Sequence, residues 1–282
     1  MSRKDWRRPE LTPLDDNLKR IKLVVSYDGS AFHGWQSQDN AVSVQQTILD
    51  ALKQMGIDTI LQGSGRTDSG VHALHQVCHF DIPKDNKIPP ERFAIALNTI
   101  LPKTVKVISS EEVDGIFHAR FTTMAREYNY YAKAINDALP FDEGYVGLFK
   151  KLPPIDLLNQ YATVLMGTHD FTTFSAARDE SPSKYRDIYE SSWKEEYDRF
   201  GKRVLVYKVV GNAFLYHQVR SMVGTMIQAG NKGEDIDTFK ARLDSCLRSN
   251  ALTTAPSDGL YLARITYDEN EYAWFEEECK DE

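Results

Sequence analysis

The segment from Gly63 to Ala73, which reads GSGRTDSGVHA, is the most informative stretch of this 282-residue sequence. Its glycines allow tight turns and let a ligand approach the backbone closely. The segment lacks the lysine and Ser/Thr of a phosphate-binding P-loop, and its third glycine is displaced from the dinucleotide-binding pattern. It therefore predicts a tight loop that presents Arg66 and Asp68. On residue types alone, an ion-paired surface turn explains it equally well.

Strands and helices are predicted to alternate on both sides of this loop. Alternating apolar residues predict strands at 21–27 and 74–82. Between them, Ser43 and Gln46 form a capping-box pattern that begins a helix with one apolar face. Further along, we predict helices at 89–100, 155–165, 219–227 and 236–247, and strands at 105–108, 128–134, 188–196, 204–210 and 260–267. This order predicts an α+β protein made of two similar halves.

The predicted organisation is a flexible lead-in at 1–19, an N-terminal α+β half at 20–115, a C-terminal α+β half at 116–267 and an acidic tail at 268–282. The tail carries eight acidic residues against Lys280 alone, which gives 1 − 8 = −7, the net charge of the whole chain. Residues 1–267 therefore sum to zero. A neutral body can still gather its cations into one groove, so the net charge does not exclude RNA. A solvated terminus is the simplest interpretation of the tail.

Composition excludes several classes of protein. With 41% hydrophobic and 27% charged residues, the chain has the composition of an ordinary globular protein. No apolar run approaches the roughly 18 residues of a membrane span, and the polar N-terminus has no signal-peptide core. The three cysteines are an odd number at wide spacing, which is typical of free thiols in a reducing cytosol. We therefore expect a cytoplasmic protein.

A possible zinc site is suggested by four residues that lie close together in the sequence, His72, His75, Cys78 and His79. On the predicted strand, however, His75 and His79 share one face and Cys78 lies on the other, while His72 precedes the strand in the loop. No CxxC or HExxH pattern supplies further ligands. The sequence therefore favours hydrogen-bonded strand histidines over a metal site.

Two residues of the second half could carry chemistry, and each has an ordinary structural alternative. Arg220, in the first turn of the helix at 219–227, could hold a carboxylate through two parallel hydrogen bonds. It could equally cover apolar neighbours with its stem. Tyr128 lies on a strand with aromatics on one face, where a tyrosine belongs to the core more often than it stacks on a substrate.

Taken together, these segments resemble the TruA-type tRNA pseudouridine synthases. The resemblance spans roughly residues 20–267 in family order, and the GRTD-x-GVHA block together with the YH-x-VR block makes it specific. The matching blocks are Tyr27-Asp28-Gly29, Phe32-His33-Gly34-Trp35-Gln36, Val44-Gln45, Gly65 to Ala73, Arg126-Glu127-Tyr128, Gly167 to Phe171, Phe174-Ser175, Gly211 to Arg220, and Gly259 to Leu262. His75, Cys78 and Ser69 depart from the residues usual in the family.

The resemblance implies the pseudouridine synthase fold, with two similar α+β halves joined around a largely antiparallel central sheet and an active-site cleft between them. It implies isomerisation of uridine to pseudouridine at positions 38, 39 and 40 of the tRNA anticodon stem-loop, without cofactor or metal, by an enzyme that is usually a homodimer. By position, Asp68 matches the catalytic aspartate, Arg220 its basic partner, Tyr128 the tyrosine at the uracil, Leu260 the apolar residue beneath the base, and Arg66 the arginine of base flipping.

Three alternatives stay open at this point. One is a related synthase that acts on other RNA uridines, and the second is a non-catalytic RNA-binding protein on the same scaffold. The third, a zinc-dependent base-modifying enzyme, requires stoichiometric metal. Whether Asp68 attacks the sugar or removes its 2′ proton also stays open, since a carboxylate can do either.

Overall fold

The computed structural model of the chain describes residues 10–268 and 270–271. Residues 1–9 of the predicted flexible lead-in at 1–19 lie outside the described residues, and its last two residues belong to the first strand. The predicted acidic tail at 268–282 lies outside them except for residues 268, 270 and 271. The strands are β1 Leu18–Tyr27, β2 Gln62–Gly63, β3 His72–Pro83, β4 Val105–Val113, β5 Ala125–Ala134, β6 Gly147–Phe149, β7 Gly167–Asp170, β8 Tyr185–Tyr197, β9 Arg203–Gly211 and β10 Leu260–Thr266. The α-helices are α1 Val44–Gln54, α2 Phe93–Asn98, α3 Ile155–Val164, α4 Gln218–Lys232 and α5 Ile236–Asp244.

The described chain divides into two compact units. Among the described residues, the first unit consists of 10–123 together with 261–267, and the second unit of 124–260 together with 268, 270 and 271. Residues 261–267, expected in the C-terminal half, belong to the first unit because β10 pairs with β3 in parallel, Tyr261 opposite His72. Such a long-range pairing leaves no local signal in the sequence.

The first unit builds its sheet in the order β4-β1-β3-β10, with β2 added on β3. Alternate residues of β1 are buried, as the sequence pattern predicts. Helix α1 begins at Ser43, whose Oγ accepts the Gln46 N–H at 3.2 Å. In a complete capping box the Gln46 side chain would also accept the Ser43 backbone N–H. Here the Gln46 side chain hydrogen-bonds Ser37 and Asp50 instead.

The second unit builds its sheet in the order β5-β9-β8-β7, with β6 added on β5. Helix α4 buries a broad apolar face that includes Val219, Met222, Val223 and Met226. Helices α3 and α5 meet through the stacked rings of Tyr161 and Phe239, whose centroids are 4.5 Å apart.

The predicted α+β class and the largely antiparallel pairing are confirmed in each unit. Of the strand pairs described within each unit, β3 with β10 and β5 with β6 run parallel, and the others run antiparallel. The predicted helix at 89–100 is shorter than expected, because a 3₁₀ turn at Pro90–Arg92 precedes α2. Strand β3 begins earlier than predicted, so His72 lies in the strand and not in the loop before it. The short strands β2, β6 and β7 were not predicted, since two to four residues carry too little periodicity.

Candidate functional site

The loop that carries Asp68 is held by the segment that follows β1. The Thr67 carbonyl accepts the Trp35 N–H at 3.1 Å. The Thr67 hydroxyl shares a hydrogen bond of 2.8 Å with the Tyr27 hydroxyl, and both of these side chains are buried. The residue before Asp68 is therefore fixed through its backbone and through its side chain.

Glycine at position 34 allows this close approach. Gly34 has a φ of +91°, which favours glycine, and a Cβ at this position would lie 2.5 Å from the Thr67 carbonyl oxygen. A side chain here would push the two loops apart. The Phe-His-Gly-Trp-Gln block and the Asp68 loop are therefore parts of one packed structure within the first unit.

Asp68 and Arg66 are presented differently by the loop. Asp68 is half-buried, and its backbone carbonyl accepts the Val71 N–H at 3.1 Å, which closes the turn. Arg66 is exposed, and its Nε donates to Gln36 Oε1 at 3.2 Å. The loop thus holds a carboxylate in a sheltered place and an arginine at the surface.

Each histidine of β3 has its own hydrogen-bond partner, as the sequence favoured. His72 Nδ1 accepts the Gly29 N–H at 3.0 Å, His75 Nδ1 donates to the Ala263 carbonyl at 2.8 Å, and His79 Nδ1 accepts the Ala119 N–H at 3.2 Å. Within residues 10–268 and 270–271, no group of three or more His, Cys, Asp or Glu side chains is placed to hold a metal ion.

Burial shapes the ionisation of this strand. Burial and the nearby charge of Arg20 lower the pKa of His79 to about 3, so its ring is neutral at physiological pH. Burial raises the pKa of the Cys78 thiol, so that cysteine remains a protonated core residue.

In the second unit, Tyr128 lies on β5 with only 7% of its surface exposed. Its ring meets the Phe214 ring edge to face, with centroids 5.2 Å apart. Tyr130, on the same face, is fully buried, and its hydroxyl donates to the Pro256 carbonyl at 3.0 Å. The aromatic face predicted for this strand is present. Tyr128 lies towards the loop that precedes α4, while Tyr130 belongs to the core.

Arg220 lies in the first turn of α4, as predicted, and is bound to the segment before β10. Its Nε donates to the Ala255 carbonyl at 2.9 Å, and its own carbonyl accepts the Ala255 N–H at 3.0 Å. Glycine at 224 allows the contact, because a Cβ there would overlap the Thr253 carbonyl. Burial raises the pKa of Tyr130, and the positive charge of Arg220 acts in the opposite sense.

Leu260 is buried at the start of β10, and its N–H donates to the Ser257 carbonyl at 2.9 Å. The preceding residue, Gly259, accepts the Tyr131 N–H at 2.8 Å. The segment 255–260 is thereby bonded to α4 at one end and to β5 at the other. The second unit therefore brings together Arg220, Leu260 and the strand that carries Tyr128, while Asp68 and Arg66 belong to the first unit.

Sequence reasoning missed the residues that hold these groups. Tyr27, Gly34 and Thr67 lie inside blocks that the sequence singles out, but no role was assigned to them. Ala255 and Gly224 carried no signal at all, because a backbone hydrogen bond or a missing Cβ can be placed only once the fold is known.

No helix among the residues that the structure describes is long and apolar enough to cross a membrane.

Comparison with known proteins identifies the family. A family model described as tRNA pseudouridine synthase matches residues 23–122 and 162–268, which include the Asp68 loop, Arg220 and Leu260 but not Tyr128. The tRNA pseudouridine synthase A of Bacillus pumilus (strain SAFR-032) is 42% identical over 252 residues, 88% of this chain and 99% of that protein. The protein of the same name from Exiguobacterium sp. (strain ATCC BAA-1283 / AT1b) is 38% identical, over 89% of this chain and 99% of that protein. The one from Borreliella burgdorferi (strain ATCC 35210 / DSM 4680 / CIP 102532 / B31) is 39% identical, over 89% of this chain and all of that protein. A match of this extent, on a chain of the expected fold class, shows that the chain belongs to the tRNA pseudouridine synthase family.

Proposed function

We infer that this chain isomerises uridine to pseudouridine in tRNA. Family membership and the names of its relatives support this activity. The observation that carries the inference is the Asp68 loop, in which Thr67 is fixed by Tyr27 and Trp35 so that the next residue presents a half-buried carboxylate. A carboxylate held in this way suits chemistry at a ribose carbon.

The proposed reaction breaks one bond to the sugar and makes another. The C1′–N1 bond breaks, the freed uracil turns, and C5 bonds to C1′. The hydrogen on C5 then leaves to solvent and N1 gains a proton, so atoms and charge balance. Asp68 acts at the ribose, either as a nucleophile on C1′ or as a base for the 2′ proton.

The other site residues receive roles that suit their surroundings. We assign Arg220 as the basic partner of the carboxylate, and its orientation is supported by the hydrogen bond from Nε to Ala255. Tyr128 and Leu260 are assigned to the two faces of the uracil, where stacking on an aromatic contributes about 1–3 kcal/mol per base. Exposed Arg66 is assigned to base flipping, which costs a few kcal/mol of unstacking.

The finer proposal is that the target uridines lie at positions 38, 39 and 40 of the anticodon stem-loop. We propose that the enzyme is a cytoplasmic homodimer that needs neither cofactor nor metal. Light scattering after size exclusion tests the dimer, since a monomer mass would contradict it. Elemental analysis of the purified, active protein tests the metal, because a zinc enzyme would carry it in stoichiometric amount.

The decisive experiment follows the hydrogen on C5. Anticodon stem-loop RNA that carries tritium at uridine C5 is incubated with wild type and with Asp68→Asn, and tritium released to solvent is measured. We expect release by wild type only. The matched control is Asp39→Asn, which makes the same change at an exposed carboxylate of the first unit and should retain full activity.

The possible outcomes separate the alternatives. Equal release by wild type and Asp68→Asn would reject Asp68 as the catalytic residue. RNA binding without release by wild type would favour a non-catalytic RNA-binding protein. Release from uridines outside positions 38 to 40, mapped on full-length tRNA, would favour a synthase with other targets.

A further inference from the structure

The loop between β9 and α4 presents an aromatic side chain to solvent. Tyr216 is 46% exposed, and its ring centroid lies 4.0 Å from that of His217. The two rings are tilted by 38° and His217 is half-buried, so the exposed Tyr216 ring supplies the surface face and His217 supports it from the side.

Hydrogen bonds on both sides hold the backbone of Tyr216 in place. Its N–H donates to Asp179 Oδ2 at 2.6 Å, and its carbonyl accepts the Ala176 N–H at 2.8 Å. Asp179 is also paired with Lys184. Burial alone would raise the pKa of Asp179, but the hydrogen bonds from Lys184, Tyr216 and Ser181 outweigh it and lower that pKa to about 2. The carboxylate therefore stays charged and keeps the loop fixed at any physiological pH.

The backbone at His217 has an unusual conformation. His217 has a φ of +62°, in the left-handed region, and it is the residue from which α4 begins. Outside glycine this conformation costs roughly 1 kcal/mol or more and persists where the surroundings impose it. Here it turns the chain sharply between Tyr216, which faces solvent, and Gln218, which is buried.

The same loop contacts the tyrosine assigned to the uracil. Phe214 meets Tyr128 edge to face, so exposed Tyr216 and half-buried His217 lie on the loop that contacts Tyr128. The two rings immediately precede the N-terminal end of α4, which carries partial positive charge and has Arg220 in its first turn. An exposed tyrosine ring beside positive charge suits a nucleobase with its phosphate better than an apolar protein segment.

We propose that Tyr216 and His217 form a stacking platform for a nucleobase of the RNA that neighbours the target uridine. The inference rests on the proposed function and extends it, because it adds a second base contact outside the catalytic residues. Stacking requires only a π-face, so the platform fixes the register of the RNA loop without reading the identity of that base.

The test measures the affinity of full-length protein for anticodon stem-loop RNA by fluorescence anisotropy. Tyr216→Ala should weaken binding about 5- to 150-fold, the range that loss of one stacked base gives. Tyr216→Phe keeps the ring and should bind like wild type. The matched control is Tyr197→Ala, which removes a more exposed tyrosine (68%). Tyr197 is the last residue of β8, whereas Asp179 and Lys184, which hold the Tyr216 loop, precede the first residue of that strand, so binding should be unchanged.

A set of RNAs with single abasic nucleotides identifies the stacked base. One abasic position should weaken binding to wild type and have no further effect on Tyr216→Ala, because the contact is then already lost. In turnover, Tyr216→Ala should raise KM and leave kcat at saturating RNA unchanged.

This outcome can be distinguished from failure of the proposed function. If wild type releases tritium but Tyr216→Ala binds as tightly as wild type, the platform is wrong and the function stands. Equal weakening by Tyr216→Ala and Tyr216→Phe would also overturn it, because the phenol hydroxyl would then be the contact. Absence of tritium release by wild type would reject the function itself.

Discussion

At the scale of single residues, the least obvious feature of the site is that Asp68 is positioned by its neighbour. Thr67 is held by a hydroxyl pair with Tyr27 and by the backbone of Trp35. A carboxylate that must meet one carbon of the ribose depends on such support, since small displacements of a catalytic group cost large factors in rate. Thr67 and Tyr27 are therefore positioning residues in the proposed reaction.

Substitution of Thr67 tests this role. Thr67→Val keeps the shape and removes the hydroxyl, so we expect kcat for tritium release to fall on the order of tenfold, with KM for RNA unchanged. The lost hydrogen bond should lower the free energy of unfolding by about 1 kcal/mol. Thr67→Ser restores the hydroxyl and should restore kcat.

A second variant tests whether the hydrogen bond between Tyr27 and Thr67 is itself responsible for the loss. Tyr27→Phe should reproduce the kcat loss, and the double variant Tyr27→Phe/Thr67→Val should lose no more than either single one, because both remove the same bond. Equal kcat in Thr67→Val and Thr67→Ser would contradict the positioning role.

The residues that could be found from sequence are those whose chemistry is visible in their type. Local pattern alone predicted that a tight loop presents Asp68 and Arg66 and that the strand of Tyr128 carries aromatics on one face, while the roles of these residues came from the family resemblance. The pairing of Thr67 with Tyr27 joins distant parts of the chain, and no local pattern specifies which hydroxyls meet. Supporting residues of this kind become visible only in the folded structure.

At the scale of elements, one buried lysine of the second unit links the end of a strand to two turns. Lys133, near the end of β5, is 1% exposed and donates to Asp142 at 2.7 Å and to Asp198 at 2.5 Å. Asp142 belongs to a 3₁₀ turn and Asp198 to the turn between β8 and β9. Burial opposes the charge on Lys133, but the two carboxylates outweigh it and raise the pKa of the ammonium. The end of a strand and two turns therefore depend on one ammonium group.

Removal of this ammonium should destabilise the unit. Lys133→Met fills similar space but leaves the buried Asp142 without its cation, so we expect a loss of about 3–5 kcal/mol in the free energy of unfolding, measured by urea denaturation. The matched control, Lys194→Met at an exposed position of β8, should stay within about 0.5 kcal/mol of wild type. Equal stability of the two variants would mean that the pair contributes no net stabilisation.

Element boundaries show where local signals stop being sufficient. The amphipathic elements α1, β1 and β9 were predicted at nearly their observed places, since burial on one face imposes the period. Helix α4 was predicted at 219–227 and continues to Lys232. The helix at 89–100 was overestimated because Pro89 and Pro90 start it as a 3₁₀ turn. The short strands β2, β6 and β7 form because they pair with longer strands, and a segment of two to four residues carries no pattern that predicts such a pairing.

At the scale of the whole chain, resemblance carried more information than composition. The α+β class followed from the order of elements and the family from the specific motif blocks. The assignment of residues 261–267 to the first unit followed from neither, because a parallel pairing with β3 decides it. The family model ends at residue 268, so the acidic tail, which holds the chain's net charge of −7, is matched only at its first residue.

Stability of the first unit should depend on pH through His79. Its folded pKa of about 3 lies below the ordinary value of 6.5, so between these values the unfolded chain binds a proton that the folded chain does not. The contribution of His79 to the free energy of unfolding is therefore fully present above pH 6.5. It is lost as the pH falls towards 3, with a slope of up to about 1.4 kcal/mol per pH unit. His118, whose pKa burial and Arg20 also lower, acts in the same direction.

The variant that tests this is His79→Asn, whose side-chain oxygen can still accept the Ala119 N–H but cannot take up a proton. Urea denaturation at pH 7 and pH 4.5 should show a smaller loss of stability for His79→Asn than for wild type, by roughly 2 kcal/mol. Carboxylates titrate in both proteins and cancel in this difference. His33→Asn, at an exposed position, should retain the full wild-type dependence on pH. If His79→Asn loses as much stability as wild type on acidification, the buried ring is not the group that makes the first unit sensitive to acid.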